Sequence, residues 1–199
     1  MTERGRPTRT QPEASMDTQR GWHSRGYLPH FDGPGVTQAI TFRLADSLPK
    51  EVVERWQNEL QPYTPEDRKR ELRRRIHEWL DAGHGECLLR RSDVAVVVQD
   101  ALLHFDGERY ELLNWCVMPN HVHTLINPLP RYALSGIVHS WKSFTAKAIN
   151  RVLRRQGQVW MPDYFDRYMR DKKHFAAAMK YIDENPTRAK LCVDPADWP

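Results

Sequence analysis

Residues 115–126 read WCVMPNHVHTLI. Two histidines, His121 and His123, stand one residue apart inside an apolar run. Side chains of a strand alternate between faces, so positions i and i+2 point the same way. Both imidazoles therefore leave one side of the strand, close enough to share one metal ion. Val122 and Thr124 take the other side. A polar pair on a sheet face is costly to bury without a purpose, so this strand reads as part of a site.

Upstream, Arg109 to Val117 reads as a strand, and Met118-Pro119-Asn120 links it to the histidine strand by a turn short enough for a hairpin. An earlier strand spans Val36 to Leu44, with Ile40, Phe42 and Leu44 alternating against Thr41 and Arg43. Asp46 or Ser47 is the expected cap of the helix that follows, with Val52, Val53, Trp56 and Leu60 as its apolar stripe. Thr64-Pro65 starts a second helix, lined by Leu72, Ile76, Trp79 and Leu80. Its run of Arg68, Lys69, Arg70, Arg73, Arg74 and Arg75 reads as a solvated face interleaved with acids. Ser92-Asp93 opens a third helix.

Downstream, the longest helix runs from Ala133 to about Arg155, with Ile137, Trp141, Phe144, Ala148 and Val152 expected on its core face. Val159-Trp160 and Tyr164 to Arg170 look extended. Asp171 caps a final helix, and Asn185-Pro186 is expected to close it, because the residue before proline avoids the α region. The resulting pattern is α+β: a ferredoxin-like βαββαβ antiparallel sheet with helices on one face, a helical insertion at about 64–83 after the first strand, and a C-terminal helix. Residues 1–24 are polar and basic and read as a disordered tail, leaving 25–199 as a single domain.

The 199 residues carry a net charge of +4, which permits a polyanionic partner without requiring one. Three scattered cysteines, Cys87, Cys116 and Cys192, form neither a disulfide framework nor a Cys-x-x-Cys knuckle. No apolar run approaches the ~20 residues of a membrane span, and the expected location is the cytoplasm, on the nucleoid.

Two histidines leave a metal needing a third protein ligand. The final helix offers Asn185, and Tyr181 lies one turn before it on the same face. Imidazoles with an amide oxygen suit Mg²⁺ or Mn²⁺. A tyrosine hydroxyl beside a metal-bound phosphodiester is a nucleophile. His174 is a weak candidate for its base. Arg167, Arg170, Lys147, Arg151 and Arg154 are the best phosphate contacts. Tyr164 and Tyr168 are rival nucleophiles that fit packing or stacking better. His84, His104 and His139 read as structural.

The stretch from Trp115 to His123 resembles the HUH (histidine–hydrophobic–histidine) motif of single-tyrosine transposases. Tyr181-Ile-x-x-Asn185-Pro, Phe165-Asp166-Arg167, Tyr27-Leu-Pro-His-Phe31 and the segment from Thr41 to Pro49 resemble one branch, the REP-associated tyrosine transposases. The resemblance implies that Tyr181 attacks single-stranded DNA near hairpin-forming repeats, giving a 5′-phosphotyrosine link and a free 3′-hydroxyl. It implies His121, His123 and Asn185 as ligands of a divalent metal, and a monomer acting in cis, with a homodimer that builds the site across two chains, as in some relatives, as the alternative. Two other readings stay open: a non-cleaving DNA-hairpin binder and a metal phosphoesterase using water.

Overall fold

The computed structural model describes residues 21–24, 29–33 and 35–198. Elements follow in the order β1 (Gly21–Ser24), β2 (Pro29–Asp32), β3 (Gln38–Arg43), α1 (Lys50–Glu59), α2 (Pro65–Asp81), α3 (Ser92–Leu103), β4 (Tyr110–Val117), β5 (His121–Pro128), α4 (Leu134–Val152), β6 (Phe165–Tyr168) and α5 (Lys172–Arg188). β1 and β2 form a separate antiparallel pair. The expected tail falls on residues outside those described, except Gly21–Ser24, which is β1.

The main sheet has the order β4-β5-β3-β6, antiparallel throughout. That is the strand order of a βαββαβ ferredoxin-like sheet, with β4 and β5 as the hairpin read from the sequence. Met118 N–H donates to the His121 carbonyl (2.9 Å) across the Pro119-Asn120 turn.

Register then divides the sheet into two faces. Ile40 stands opposite Thr124 and Phe42 opposite Val122; with Val117 and Ile126 they meet α3 and α4 in the larger core. Thr41 stands opposite His123 and Arg43 opposite His121, on the other face. There α5 covers Cys116 and Leu125 with Ile182, Ala178 and Met179. Asn114 Nδ2 fixes α5 further by donating to Asp183 (2.7 Å).

Several local expectations change. α1 has Pro49 at its N-cap with no side-chain cap; Ser47 instead donates to the Leu44 carbonyl (2.8 Å) and closes the turn before it. α4 is rotated relative to its expected stripe. Thr145 and Ile149 are buried, whereas Phe144 and Val152 are exposed, because positions 134, 137, 138, 141, 145 and 149 trace the stripe that contacts the sheet. α5 does not stop at Pro186 but runs to Arg188, with Pro186 buried inside it. A proline so near a helix end removes one backbone bond, and the Asn185 carbonyl still accepts from Ala189 N–H (3.0 Å). Thr64 and Asp171 do cap α2 and α5, accepting from Asp67 N–H (3.2 Å) and His174 N–H (2.8 Å).

The α1–α2 insertion has its own small core of Leu48, Val53, Trp56 and Leu80, with Leu72, Ile76 and Trp79 packed against it. Trp79 Nε1 donates to the Ser47 carbonyl (2.9 Å). Arg68 reaches back to the α1 C-terminal carbonyls of Leu60 (3.1 Å) and Gln61 (2.6 Å). The insertion is therefore anchored, and a third side of α2, carrying Arg73, His77 and Asp81 at four-residue intervals, is held against the histidine face of the sheet.

β2 is tied to β6 by a buried clamp. His30 Nδ1 bonds Asp166, His30 Nε2 bonds Asp163 (3.0 Å), and Phe31 N–H donates to Asp166 (2.9 Å). Burial alone pushes the His30 imidazolium down, but its hydrogen bonds to Asp163 and Asp166 outweigh this and raise it to about 9. A raised histidine stabilises the fold fully below its unfolded value and loses that contribution as pH climbs through 9. Stability in urea titrations is thus expected to fall between pH 7 and 10. His30→Ala removes that slope and costs about 3 kcal/mol, because it strands a buried carboxylate.

Candidate metal and nucleophile site

His121 and His123 are both buried, and their Nε2 atoms face each other at 2.9 Å. Each ring is fixed from behind. Asn120 Nδ2 donates to the His84 carbonyl (2.8 Å), so its Oδ1 accepts from His121 Nδ1–H (2.7 Å). His121 is thereby the tautomer with a lone pair on Nε2. Thr41 Oγ1 lies 2.8 Å from His123 Nδ1 and can accept or donate there. Such partners behind imidazoles orient metal ligands. Burial pushes His121 down to about 3, with His77 adding to it, and pushes His123 well below the ordinary histidine range. Both rings are neutral and able to ligate at neutral pH.

Asp81, at the C-terminal end of α2, completes the cluster. Its Oδ1 lies 3.6 Å from His121 Nε2, and one ligating atom from each of Asp81, His121 and His123 lies within 4.8 Å of the others. Asp81 Oδ1 is buried without a hydrogen-bond partner. Burial raises its carboxyl to about 6, with Arg188 opposing the shift and Glu78 adding to it. Two neutral imidazoles with converging nitrogens and an orphaned carboxylate oxygen fit a divalent cation, with nitrogen and oxygen donors and no thiolate.

Tyr181 sits on α5 over this cluster, its ring 5.3 Å from the His123 ring. Its hydroxyl is 3.1 Å from His77 Nδ1. Burial drives His77 down to about 4, helped by Arg73 and Arg167. The ring is therefore neutral at neutral pH and, in the tautomer with a lone pair on Nδ1, accepts a hydrogen bond from the tyrosine hydroxyl. Burial, then the charge of Asp81, pushes the Tyr181 hydroxyl above the ordinary tyrosine value; Arg188, whose guanidinium stands 5.7 Å from the ring centre, and Asn185 oppose the shift. Asn185 is buried one turn beyond Tyr181, and its Nδ2 has no hydrogen-bond partner.

The sequence-predicted residues divide into two groups. Tyr181, His123 and Arg167 line one cavity of about 720 Å³, together with Asp81, His77 and the predicted weak base His174. Arg167 and Arg170 line a second cavity beside it. Lys147, Arg151 and Arg154 are exposed on or just after α4, whose buried side packs against the opposite face of the sheet. Tyr164 packs on His30 (ring centres 4.5 Å apart) and Tyr168 on Phe31 (4.7 Å). His84 stacks on Trp79 (3.9 Å) and holds Asn120. Sequence reasoning missed His77 and Asp81. The available signal was the Arg73, His77, Asp81 spacing on a helix whose apolar face was already assigned.

A ferredoxin-like sheet that carries a His-His-Asp cluster under a helical tyrosine defines an HUH-like site. Residues 97–185, which include both histidines, Tyr181 and Asn185, match the family model described as IS200-like transposase. Through this segment, somewhat under half of the chain, the protein is similar to IS200-like transposases. A solved structure of a REP-associated tyrosine transposase bound to a REP hairpin is similar in fold: TM-score 0.52 at 16% identity, covering 87% of this chain and 80% of that one. A candidate transposase from Deinococcus radiodurans R1 aligns at 15% identity over 82% of this chain and 96% of its own, with a TM-score of 0.34. No curated protein matches the sequence.

Proposed function

We propose that this chain is a divalent-metal-dependent single-strand DNA transesterase that cuts and rejoins DNA at hairpin-forming repeats. The observation that carries the reading is convergence: the Tyr181 hydroxyl and a neutral base 3.1 Å from it line one cavity with His123 and Asp81, and His121 completes the cluster behind them. The hairpin substrate is carried over from the REP-associated transposase of similar fold. A Mg²⁺ or Mn²⁺ ion held by His121, His123 and Asp81, with Asn185 as a further donor, would supply Lewis-acid polarisation of the scissile phosphate. Tyr181 Oη forms the bond to phosphorus as its proton passes to His77 Nδ1. The bond from phosphorus to the 3′ oxygen breaks, and that oxygen leaves as a 3′-hydroxyl after taking a proton. The 5′-phosphotyrosine conserves the bond, so attack by a 3′-hydroxyl reverses the step. Both halves of the site come from one chain, which supports a monomer acting in cis.

Arg167 and Arg170 are the phosphate contacts nearest this chemistry. Lys147, Arg151 and Arg154 would serve DNA that reaches round the sheet. The test is a hairpin oligonucleotide with single-stranded flanks, labelled on the 3′ side of the cut so that the covalent product carries the label. A denaturant-resistant adduct is expected with Mg²⁺ or Mn²⁺, and none with chelator. Tight hairpin binding without adduct under any metal would replace this reading with a non-cleaving binder. Multiple turnover that survives Tyr181→Phe would replace it with a phosphoesterase using water.

A further inference from the structure

A second cavity, of about 450 Å³, lies between α2 and β6 and adjoins the tyrosine cavity across shared walls at Thr41, Arg73, His77, Phe165 and Arg167. Its chemistry differs from that of the metal cluster. Leu72 and Ile76 of α2 form one side; Phe165 and the packed pair Phe31–Tyr168 form another. Arg73, Arg167 and Arg170 also line it. Among the described residues no carboxylate pairs with any of these three guanidiniums, although Arg70, Arg74 and Arg75 on the same helix are all neutralised by acids. Asp163 and Asp166 also line the cavity, but both are bonded to the His30 imidazolium. Burial lowers Arg73, and its neighbours Arg167 and Arg170 lower it further, as in a cluster of like charges without counter-ions. Arg73 also stands 5.1 Å from the centre of the Phe165 ring, which meets His77 edge-on at 6.0 Å.

An aromatic and aliphatic slot rimmed by unneutralised guanidiniums, one wall away from a phosphate-attacking tyrosine, matches a single unpaired nucleotide: a flat π-face for the slot and an anion for the rim. We propose that this cavity is a nucleotide subsite. It takes the unpaired base next to the scissile phosphate against Phe165 and the Phe31–Tyr168 pair, while Arg73, Arg167 and Arg170 hold the adjoining backbone phosphates. The proposal rests on the single-strand DNA reading above and adds where the flanking nucleotide is read. It gives the α1–α2 insertion a second role, as the wall that makes a slot out of an open sheet edge.

The test uses full-length Tyr181→Phe protein, which cannot form the covalent link, and fluorescence anisotropy with two short labelled probes. One is a mixed-sequence single strand, and the other has the same backbone with abasic sites. The base-bearing probe is expected to bind about tenfold tighter, from stacking of one or two bases. Leu72→Trp, which fills the slot, and Phe165→Leu, which removes an aromatic wall without adding volume, are both expected to bring that ratio close to one. Arg73→Gln and Arg167→Gln are expected to weaken both probes alike, and each to lower the salt dependence by about one counter-ion. Equal binding of the two probes by the parent protein, or a ratio unchanged in Phe165→Leu and in a folded Leu72→Trp, overturns the subsite. The adduct assay separates the two readings. Adduct formation with an unchanged probe ratio defeats only the subsite, whereas a responsive ratio without adduct leaves the slot and defeats the transesterase.

Discussion

Tyr181→Phe is expected to abolish the covalent DNA adduct, lowering cleavage by about 10³-fold or more, and to leave hairpin binding within about 0.5 kcal/mol of the parent. The removed oxygen is the atom that would bond to phosphorus, and among the described residues no other tyrosine lines that cavity. Tyr164 and Tyr168, the rivals in sequence, are packed against His30 and Phe31 on the β2–β6 side. The phenylalanine ring keeps the packing of Tyr181 against the cluster of Cys116, Met118, Leu125 and Ile182, so the fold has no reason to change. Gel analysis under denaturing conditions reads the adduct, and anisotropy reads the binding. His77→Phe makes the companion measurement. It removes the imidazole that stands 3.1 Å from the Tyr181 hydroxyl and is expected to slow adduct formation about 10²-fold without abolishing it. Because His77 stays neutral down to about 4, its contribution to the parent rate is flat across neutral pH and is lost only on acidification. A full-strength adduct from Tyr181→Phe sinks the nucleophile; an unchanged rate in His77→Phe sinks the base.

The sheet was legible because its signals are local. Alternation through Ile40, Phe42 and Leu44, the Pro119-Asn120 turn, and the i, i+2 histidines each report on one or two neighbours. Tyr181 and Asn185 were legible by their spacing together with the resemblance carried by the motif around them. The part contributed by α2 was not. Its arginines read as a solvated face, and for Arg70, Arg74 and Arg75 they are, being matched to Asp67, Glu71, Glu78 and Glu59. Arg73 looks the same in sequence and differs only because α2 docks with that side inward. Docking depends on long-range contacts such as Trp79 to Ser47 and Leu80 to Leu48 and Val53, which no periodicity encodes. The same limit explains Phe144: a stripe of 3.6-residue period fixes the helix but leaves its rotation open by one residue. The proline at 186 misled for the opposite reason. A local rule about backbone conformation was overridden by the burial of Asn185 and Pro186 against the sheet.

Asp81→Ala tests whether the α1–α2 insertion is part of the catalytic centre or a decoration on it. Isothermal titration with Mn²⁺ alone, with no DNA, is expected to show at least about tenfold weaker binding in the variant, and adduct formation should fall in parallel. The argument is electrostatic. His121 and His123 are neutral, so Asp81 is the only anion in the three-residue cluster, and its buried Oδ1 has no other hydrogen-bond partner. Removing it leaves a divalent cation in a buried site with uncharged ligands only, which desolvation opposes. Stability should respond differently from affinity. The Asp81 carboxyl sits at about 6 because burial opposes its charge; a raised acid destabilises the fold where it is ionised, so Asp81→Ala is expected to leave the metal-free protein no less stable at pH 8. The pH dependence follows from the same value. Below about pH 6 the proton competes with the ion for Asp81, and parent Mn²⁺ affinity should fall with each further step in acidity, whereas the residual affinity of Asp81→Ala should lack that component. Asp81→Asn separates charge from oxygen: it retains a donor atom of similar reach, and partial rescue of binding without the acid-side titration is the expected result. If Asp81→Ala binds Mn²⁺ as the parent does, the third donor is Asn185 from α5, and α2 contributes the base and the nucleotide wall but no ligand.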